Sequence, residues 1–349
     1  MISHIRKILL SALCIPALSG CMTWDYGAEE DFDATGRGLF IVNEGNYQYS
    51  NASLSYYDPA SGSVDNEIFM RANGMKLGDV AQSMTIYGNR GWIVVNNSNV
   101  VFAIDLQTFR ESGRITGLTS PRYIHFVSDS KAYVSQLWDN RIAIVDPQTM
   151  SVTGHITVEG MDPASGSTEQ IVASGPYVYV GCWSYQREIL KIDSRTDSIV
   201  ARLEVGFQPN SLALDRYNRL WALTTGDDTQ RPALYRIDLA TFSIDGRFDF
   251  FEGTEPRELT TDGDGERLYW INDGVWAMDA GATRLPLRPV IRARSTLYYG
   301  LTVDPVEGDI YVADAIDYQQ RGTVYRFSAD GREKEAFEVG ITPGAFCWK

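Results

Sequence analysis

The chain has 349 residues, of which 22% are charged and 12% are aromatic, with 31 basic against 45 acidic side chains. The formal net charge of −14 disfavours nucleic acid and anionic headgroups as partners, because both carry the same sign. Beyond the N-terminus, no segment is apolar over the roughly 20 residues that a membrane-spanning helix needs. These totals favour an acidic globular protein.

Residues 1–20 have the features of a secretory signal peptide: a charged start, an apolar run from Ile8 to Leu18 and small residues at the end. Leu18-Ser19-Gly20-Cys21 resembles the lipobox of bacterial lipoproteins. The resemblance implies cleavage before Cys21, a lipid on its thiol (palmitate among the acyl groups) and anchorage in the outer membrane. An ordinary secreted protein with a chance cysteine is the alternative.

Residues 21–35 are predicted to form an acidic tether that is short of core-forming residues and disordered. An acidic stretch behind the lipidated cysteine resembles the surface-export signal of Bacteroidota lipoproteins, which implies that the protein faces the cell exterior. A plain spacer is the alternative interpretation. Loss of the signal peptide removes two basic residues and leaves a net charge of −16. The acidic residues are Asp25, Glu29, Glu30, Asp31 and Asp33.

The remainder of the chain repeats. An apolar residue followed by Asp recurs at intervals of about 40 to 50 residues, the length of one four-stranded propeller blade. A strand-like run precedes each such step, and a further short strand precedes that run. The recurring aspartates are Asp58, Asp105, Asp146, Asp193, Asp238 and Asp279.

The repeats predict an all-β fold, a seven-bladed β-propeller over residues 36–349. The first strand-like run, at Leu39, has no inner strand before it, and the last inner strand, from Pro343 to Trp348, has no blade after it. The C-terminal strand is therefore predicted to complete the N-terminal blade, which leaves no open sheet edge.

The predicted inner strands place one residue each at the mouth of the central channel: Gln82, Arg122, Glu169, Asn210, Arg257, Tyr299 and Gly344. Loops on the same face carry the aromatic residues Trp138, Trp183 and Tyr185. Aromatic rings with polar neighbours suit a large, flat, polar-edged small molecule. The alternative is that the rings fold back and plug the channel.

Signals for catalysis are few. Only His125 and His155 follow the signal peptide, so a histidine-centred triad or a zinc site is not expected. The chain is therefore predicted to be a non-enzymatic binder without a resident cofactor or metal, and with unpaired thiols at Cys182 and Cys347. A metal site of oxygen ligands, as in calcium-dependent lactonases, stays open as an alternative. Its ligands would be Glu44, Asn96, Asn210, Asn272 and Asp314.

The whole mature chain resembles the seven-bladed YncE-like or "surface layer" propellers of gut Bacteroidota, and more closely the BtuG family. The resemblance rests on Leu18 to Cys21, the acidic tether, Gly38 to Gly45 and repeats such as Val205 to Leu212. It implies a surface lipoprotein that captures cobalamin or a related corrinoid and passes it to a TonB-dependent transporter of the BtuB type. An extracellular glycan- or protein-binding propeller is the second hypothesis, and a metal-dependent lactonase the third.

The repeat columns, and not the family, supply the predicted ligand-binding residues. Aromatic residues would cover the faces of the corrinoid, and polar residues would bond its peripheral amides and phosphate. The aromatic residues are Trp138, Trp183, Tyr185 and Tyr299, and the polar ones are Gln82, Arg122, Asn210 and Arg257.

Overall fold

The computed structural model describes residues 29–294 and 297–349. The predicted signal peptide and Cys21 lie outside the described residues. Within them, seven four-stranded antiparallel sheets are arranged around a central channel. The predicted all-β, seven-bladed propeller is confirmed.

The strands follow one another as the repeats predict. Blade 1 begins with β1 (Leu39–Asn43), β2 (Ser53–Asp58) and β3 (Ser63–Asp65), followed by the helix α1 (Ile68–Asn73). Blades 2 to 4 comprise β4 (Ala81–Tyr87), β5 (Arg90–Val95), β6 (Val100–Asp105), β7 (Glu111–Ile115), β8 (Pro121–Ser128), β9 (Lys131–Gln136), β10 (Arg141–Asp146), β11 (Ser151–Thr157), β12 (Thr168–Ser174), β13 (Tyr177–Cys182), β14 (Glu188–Asp193) and β15 (Ser198–Glu204).

The remaining strands complete the ring. Blades 5 to 7 comprise β16 (Pro209–Leu214), β17 (Arg219–Thr224), β18 (Ala233–Asp238), β19 (Ser243–Asp249), β20 (Arg257–Thr261), β21 (Arg267–Ile271), β22 (Gly274–Asp279), β23 (Ile291–Arg292), β24 (Tyr298–Val303), β25 (Ile310–Asp314), β26 (Arg321–Phe327) and β27 (Glu333–Ile341). The final strand, β28 (Pro343–Trp348), returns to blade 1.

Closure occurs as predicted. Strand β28 pairs antiparallel with β1, with Leu39 opposite Trp348 and Ile41 opposite Phe346. Strands β4, β8, β12, β16, β20, β24 and β28 each contact the next and so form the channel wall. Because blade 1 combines both ends of the chain, the ring has no free inner edge.

The second strand of each blade forms the interior. These strands are almost wholly buried and rich in β-branched and aromatic residues, as in Arg-Gly-Trp-Ile-Val-Val of β5. Large rings fill the space between neighbouring sheets: Trp221 of blade 5 and Trp270 of blade 6 belong to one apolar cluster. This packing between blades supports the geometry of the channel.

Five of the six repeated aspartates, all except Asp279, close the outer hairpins. Asp105 Oδ1 accepts the backbone N–H groups of Gln107 and Thr108 at 3.0 and 2.8 Å. Asp238 Oδ1 accepts those of Ala240 and Thr241 at 2.8 and 2.9 Å. Such a side chain imitates a backbone turn and fixes the connection between two strands. The most visible sequence repeat is therefore structural.

We call the side of the loops between blades, and between second and third strands, the mouth face; the opposite side is the far face. Strand β28 runs from the mouth face at Pro343 to the far face at Trp348. None of the helices in the described residues is long and apolar enough to cross a membrane.

The predicted tether requires a correction. Its part from Glu29 to Thr35 is not a free chain, because it contacts the propeller through Arg71, Gln107, Arg110 and Lys349. The prediction rested on the acidic residues alone. It did not foresee their ion pairs with Arg71 and Arg110, which lie 41 or more positions away in the sequence.

The two thiols agree with the prediction. Cys182 in blade 4 is buried, Cys347 in blade 1 is half-buried, and both are free. Burial raises the pKa of Cys347 to about 12, so its thiol stays protonated and unreactive at neutral pH.

Candidate ligand-binding site at the channel mouth

Every inner strand has a pairing irregularity at the mouth of the channel. Ladder pairing shifts within the first few residues of β4, β8, β12, β16, β20 and β24, and between β28 and Asn43 of β1. Such β-bulges leave a residue unpaired and redirect its side chain. The first unpaired residues of the seven strands are Gln82, Arg122, Glu169, Asn210, Glu258, Tyr299 and Gly344.

These bulges surround a cavity of about 440 Å³, which is lined by side chains from all seven inner strands. Glu44 and Trp183 join it from the loops between second and third strands. Six of the eight predicted ligand-binding residues line this cavity: Gln82, Arg122, Trp183, Asn210, Arg257 and Tyr299. The other two, Trp138 and Tyr185, lie exposed on loops of the mouth face.

Blade 6 departs from the predicted column by one residue. Arg257 is still paired, opposite Ile271, and the bulge begins at Glu258. Glu258 has a left-handed backbone, with φ 58°. The repeat pattern aligns Pro256-Arg257 with the Pro-X pairs of other blades. In blade 6, however, the strand begins at Arg257, one residue after the proline, so the bulge also falls one residue later. Both Arg257 and Glu258 line the cavity, and Arg257 pairs with the exposed Glu255 at 3.1 Å.

The only mouth position without a side chain is Gly344, and Glu44 occupies the space beside it. A Cβ on Gly344 would lie 2.5 Å from the Glu44 carboxylate. The Tyr299 hydroxyl donates to that carboxylate, with both oxygens at 3.2 Å. Because Glu44 comes from a loop, the column of inner strands could not identify it as part of the ring.

Arg122 is held by a buried ion pair. Its guanidinium donates to the Glu169 carboxylate through Nε at 2.9 Å and Nη2 at 2.6 Å, and it also bonds Gln82. It lies 5.8 Å from the centre of the Trp183 ring. Burial opposes the charge, but the adjacent Glu169 carboxylate outweighs burial and holds the pKa of Arg122 above its usual value. Arg122 is therefore rigid and already paired before any ligand enters.

Two other carboxyl groups in the cavity resist ionisation. Burial raises the pKa of Glu44 to about 7, although Arg122 and the Tyr299 hydroxyl lower it. Burial and the nearby Glu44 raise the pKa of Glu258 to about 8. Within the described residues, Glu258 has no hydrogen-bonding partner. Near neutral pH these groups can donate as well as accept hydrogen bonds.

The mouth face carries most of the exposed aromatic surface of the described residues. Six aromatic side chains on its loops are between 41% and 85% exposed: Tyr47, Tyr49, Trp138, Tyr185, Phe251 and Tyr318. We call this set the aromatic rim. The far face has one exposed aromatic residue among those described, Tyr217. The alternative prediction, that the loop rings fold back over the channel, holds for Trp183, which lines the cavity. It does not hold for Trp138 and Tyr185, which are open to solvent like the rest of the aromatic rim.

Three rings of the aromatic rim sit on unfavourable backbone. Trp138, Tyr185 and Tyr318 have φ of 60°, 57° and 61°, in the left-handed region that bulky residues rarely adopt. They lie in the same loop of three different blades. Such a conformation costs on the order of 1 kcal/mol or more, and residues that persist in it cluster at functional sites.

The oxygen ligands considered for a metal do not converge. Glu44 and Asn210 line the cavity, but Asn96 donates to the Pro121 carbonyl at 3.1 Å. Asp314 Oδ1 accepts the backbone N–H groups of Leu297 and Ile316. Within the described residues, no three His, Cys, Asp or Glu side chains are grouped as a metal site requires.

The fold and this mouth face define a seven-bladed propeller with charged residues in the lining of its channel mouth and exposed aromatic residues around it. The chain belongs to the DUF5074 family, described as a domain of unknown function, which matches residues 37–340. No curated protein matches the sequence.

Solved structures share the fold. A quinonprotein alcohol dehydrogenase-like protein from Bacteroides thetaiotaomicron has a TM-score of 0.68 at 13% identity, over 88% of this chain and 77% of that one. A putative 6-phosphogluconolactonase from Bacteroides fragilis has a TM-score of 0.68 at 12% identity, over 90% and 98%. The periplasmic gluconolactonase of Pseudomonas aeruginosa has a TM-score of 0.66 at 14% identity, over 90% and 99%. At these identities the likeness extends to the fold alone.

Proposed function

We propose that this propeller is a non-enzymatic binding protein that holds a flat, polar-edged organic molecule across the mouth face, and that the molecule is a corrinoid such as cobalamin. The observation that carries the binding role is the aromatic rim, three of whose members are exposed on left-handed backbone. Covering a large exposed ring removes apolar surface from water, which makes the free energy of binding more favourable.

The cavity below the aromatic rim suits the edge of such a ligand. Its volume of about 440 Å³ is at the small end for ligand pockets, so a large ligand would lie over the mouth and insert only a part. Arg122, fixed by Glu169, presents a cationic edge, while Glu44 and Glu258 can donate hydrogen bonds when protonated. Amide groups, which both donate and accept, are compatible with this lining.

The choice of a corrinoid as the ligand rests on the family resemblance of the sequence, and so do the remaining parts of the proposal. These are a lipid on Cys21, a location on the outer membrane facing the cell exterior, and delivery to a TonB-dependent transporter of the BtuB type. The predicted lipobox and the acidic residues after it support the location.

The test mixes the purified propeller with cyanocobalamin and follows the red colour on gel filtration, with calorimetry for the affinity. Tyr185→Ala should weaken binding about 30-fold, the equivalent of about 2 kcal/mol for an anchoring aromatic residue. Tyr217→Ala is the matched control, because Tyr217 is similarly exposed, at 61% against 70% for Tyr185, but lies on the far face. It should bind like the wild type.

Each result decides a different point. If the wild type releases no heat at micromolar concentrations and elutes without colour, the corrinoid proposal is wrong. If it binds and both tyrosine variants match the wild type, the ligand is correctly identified but does not bind at the mouth face.

A glycan is the second candidate ligand, and the acidic lining favours it. Glu44, Glu169, Glu255 and Glu258 outnumber Arg122 and Arg257 around the cavity. Carboxyl groups accept hydrogen bonds from sugar hydroxyls, and protonated ones also donate to them. Binding to a glycan array, lost in Tyr185→Ala and retained in Tyr217→Ala, would select this function instead.

A further inference from the structure

The outer edge of blade 6 differs from that of the other blades. In blades 2, 3, 4, 5 and 7 a fourth strand pairs along the third strand, and in blade 1 both β3 and helix α1 contact β2. In blade 6 the fourth strand, β23, pairs with β22 only at Gly274 and Val275. The rest of β22, from Trp276 to Asp279, is therefore a sheet edge without a fourth strand.

The backbone groups of Ala277 point toward this open edge. On the outer side of β22, the Val275 carbonyl accepts the Val290 N–H at 2.8 Å. On the inner side, the Gly274 carbonyl accepts the Asn272 N–H at 2.9 Å. Backbone groups alternate between the two sides of a strand, so those of Ala277 point outward like those of Val275. Among the described residues, none bonds the outward N–H or C=O of Ala277, and such an edge is a template for another strand.

Two prolines explain why the following segment, Ala280 to Val290, does not pair with this edge. Pro286 and Pro289 have no backbone N–H to donate to a neighbouring strand. Ala282 and Leu285 nevertheless pack against the apolar cluster that joins blades 5 and 6, which fixes the position of the segment. Between the segment and β22 lies a groove of about 610 Å³.

The groove is basic, although the chain as a whole has a net charge of −14. Arg267, Arg284 and Arg288 line it, against the single carboxylate of Asp279, which lies 3.6 Å from Arg267. Arg284 and Arg288 are exposed, and within the part of the chain that the structure describes neither forms an ion pair. Leu287, which lies between them in the sequence, is 89% exposed. Positive charge and an apolar side chain thus lie beside unpaired backbone.

We propose that the open edge of β22 binds an extended acidic segment of a partner protein, which adds a strand to blade 6. The unpaired groups of Ala277 bond the backbone of that segment, and Arg284 and Arg288 bond its carboxylates. Charge favours this partner over a second copy of the same edge, because the arginines of two such edges repel each other. The groove shares no residue with the mouth cavity, so the proposal is independent of the ligand bound there.

The test uses an acidic peptide of about seven residues, a usual strand length, in which glutamate alternates with valine. The peptide carries fluorescein, and its anisotropy during titration with the purified protein gives the affinity. Hydrogen exchange of the protein amides gives the position of binding. At saturation the Ala277 amide should exchange at least about tenfold more slowly, whereas the Trp276 amide, which faces β21, should not change.

Modified peptides separate backbone pairing from charge. The same peptide is made with every second backbone amide N-methylated, in each of the two possible alternations. Only every second amide of a strand faces its neighbour. One methylated peptide should therefore bind at least about tenfold more weakly, and the other should bind like the parent.

Charge reversal tests the two arginines. Arg284→Glu/Arg288→Glu should weaken binding of the parent peptide at least about tenfold. Arg187→Glu/Arg195→Glu is the matched control, because it changes the net charge equally at two exposed arginines of blade 4. Since salt screens such distant charges, the control should bind within about twofold of the wild type. Equal melting temperatures of the two variants check that both are folded.

Three results would overturn the proposal. The first is no binding of the parent peptide at concentrations up to about 1 mM. The second is equal weakening by both methylated peptides, or by both pairs of charge reversals, because binding would then not depend on this edge. The third is a wild-type dimer on gel filtration that is lost in Arg284→Glu/Arg288→Glu, which would assign the edge to a second copy of the chain.

Discussion

The mouth ends of the inner strands and the second strands of the blades come from the same repeats, but they obey different rules. Second strands are continuously paired, buried and apolar, as in Leu-Trp-Ala-Leu-Thr of β17. Mouth ends are bulged in all seven blades and carry charged or polar residues in five of them. Where the repeat keeps its pattern its residues form the interior, and where all copies break it together their side chains line the channel mouth.

The largest expected effect lies in a second strand. Trp221 is fully buried, and its Nε1–H donates to Asp215 Oδ2 at 2.8 Å. Trp221→Ala should lower the free energy of unfolding by about 3 to 5 kcal/mol, because it leaves a cavity between blades 5 and 6. Guanidinium unfolding measures the loss. Tyr217→Ala, exposed on the neighbouring turn, should change stability by less than about 0.5 kcal/mol. Equal losses of unfolding free energy in both variants would contradict the assignment of Trp221 to the interior and Tyr217 to the surface.

The second effect tests whether a mouth residue can also be structural. Arg122→Met leaves the buried Glu169 carboxylate unpaired and should cost about 3 kcal/mol in the free energy of unfolding. Arg122→Met/Glu169→Leu removes both charges and should recover most of that loss. A double variant no more stable than the single one would show that packing, and not the charge, holds this part of the channel. Chemical unfolding of the three proteins decides the point.

The fold could be predicted well from the sequence, because each repeat encodes the same packing of one blade against the next. The recurring aspartates, the inner strands and the closure by Pro343 to Trp348 all follow from local patterns that recur in each blade. The cavity was predicted in part, since Gln82, Arg122 and Asn210 follow the column. Glu258 was missed because a one-residue difference at Pro256 is invisible without strand pairing. Glu44 was named only as a possible metal ligand and not as a member of the ring of inner-strand residues, because its place there depends on the absent side chain of Gly344.

The segment from Glu29 to Thr35 marks another limit of sequence patterns. Acidic composition correctly identified residues 29–33 as unlike the blades, but it predicted disorder. Ion pairing between Glu30 and Arg71 depends on which distant arginines the fold brings close, and no repeat carries that information.

The third effect is a pH dependence of stability that originates at the mouth. Because the pKa of Glu258 is raised to about 8 in the folded protein, the folded state binds more protons than the unfolded state between about pH 4.5 and 8. The contribution of this group to stability is complete below pH 4.5 and is lost as pH rises through 8. Glu44 acts in the same direction, up to about pH 7.

Glu258→Gln should remove most of this dependence. At pH 5 the variant and the wild type should be about equally stable, whereas at pH 9 the variant should be more stable, by on the order of 2 kcal/mol. Urea unfolding at both pH values gives the comparison. Glu255→Gln is the matched control, because that carboxyl is largely exposed on the same loop and should leave the difference unchanged. A variant less stable than the wild type at pH 9 would contradict the assignment.

The smallest expected effect belongs to the segment from Glu29 to Thr35, which resembles neither the mouth nor the second strands. Arg110 and its two acidic partners are largely exposed, so their attraction is weakened by solvent and salt. Arg110→Ala should therefore lower the free energy of unfolding by less than about 1 kcal/mol at low salt and by still less at high salt. Phe32→Ala removes the half-buried ring and should cost more, with little dependence on salt, because its contact with Phe109 is apolar. Unfolding in low and high salt separates the two contributions. A salt-independent loss in Arg110→Ala would mean that the arginine holds this segment through packing and not through its ion pairs.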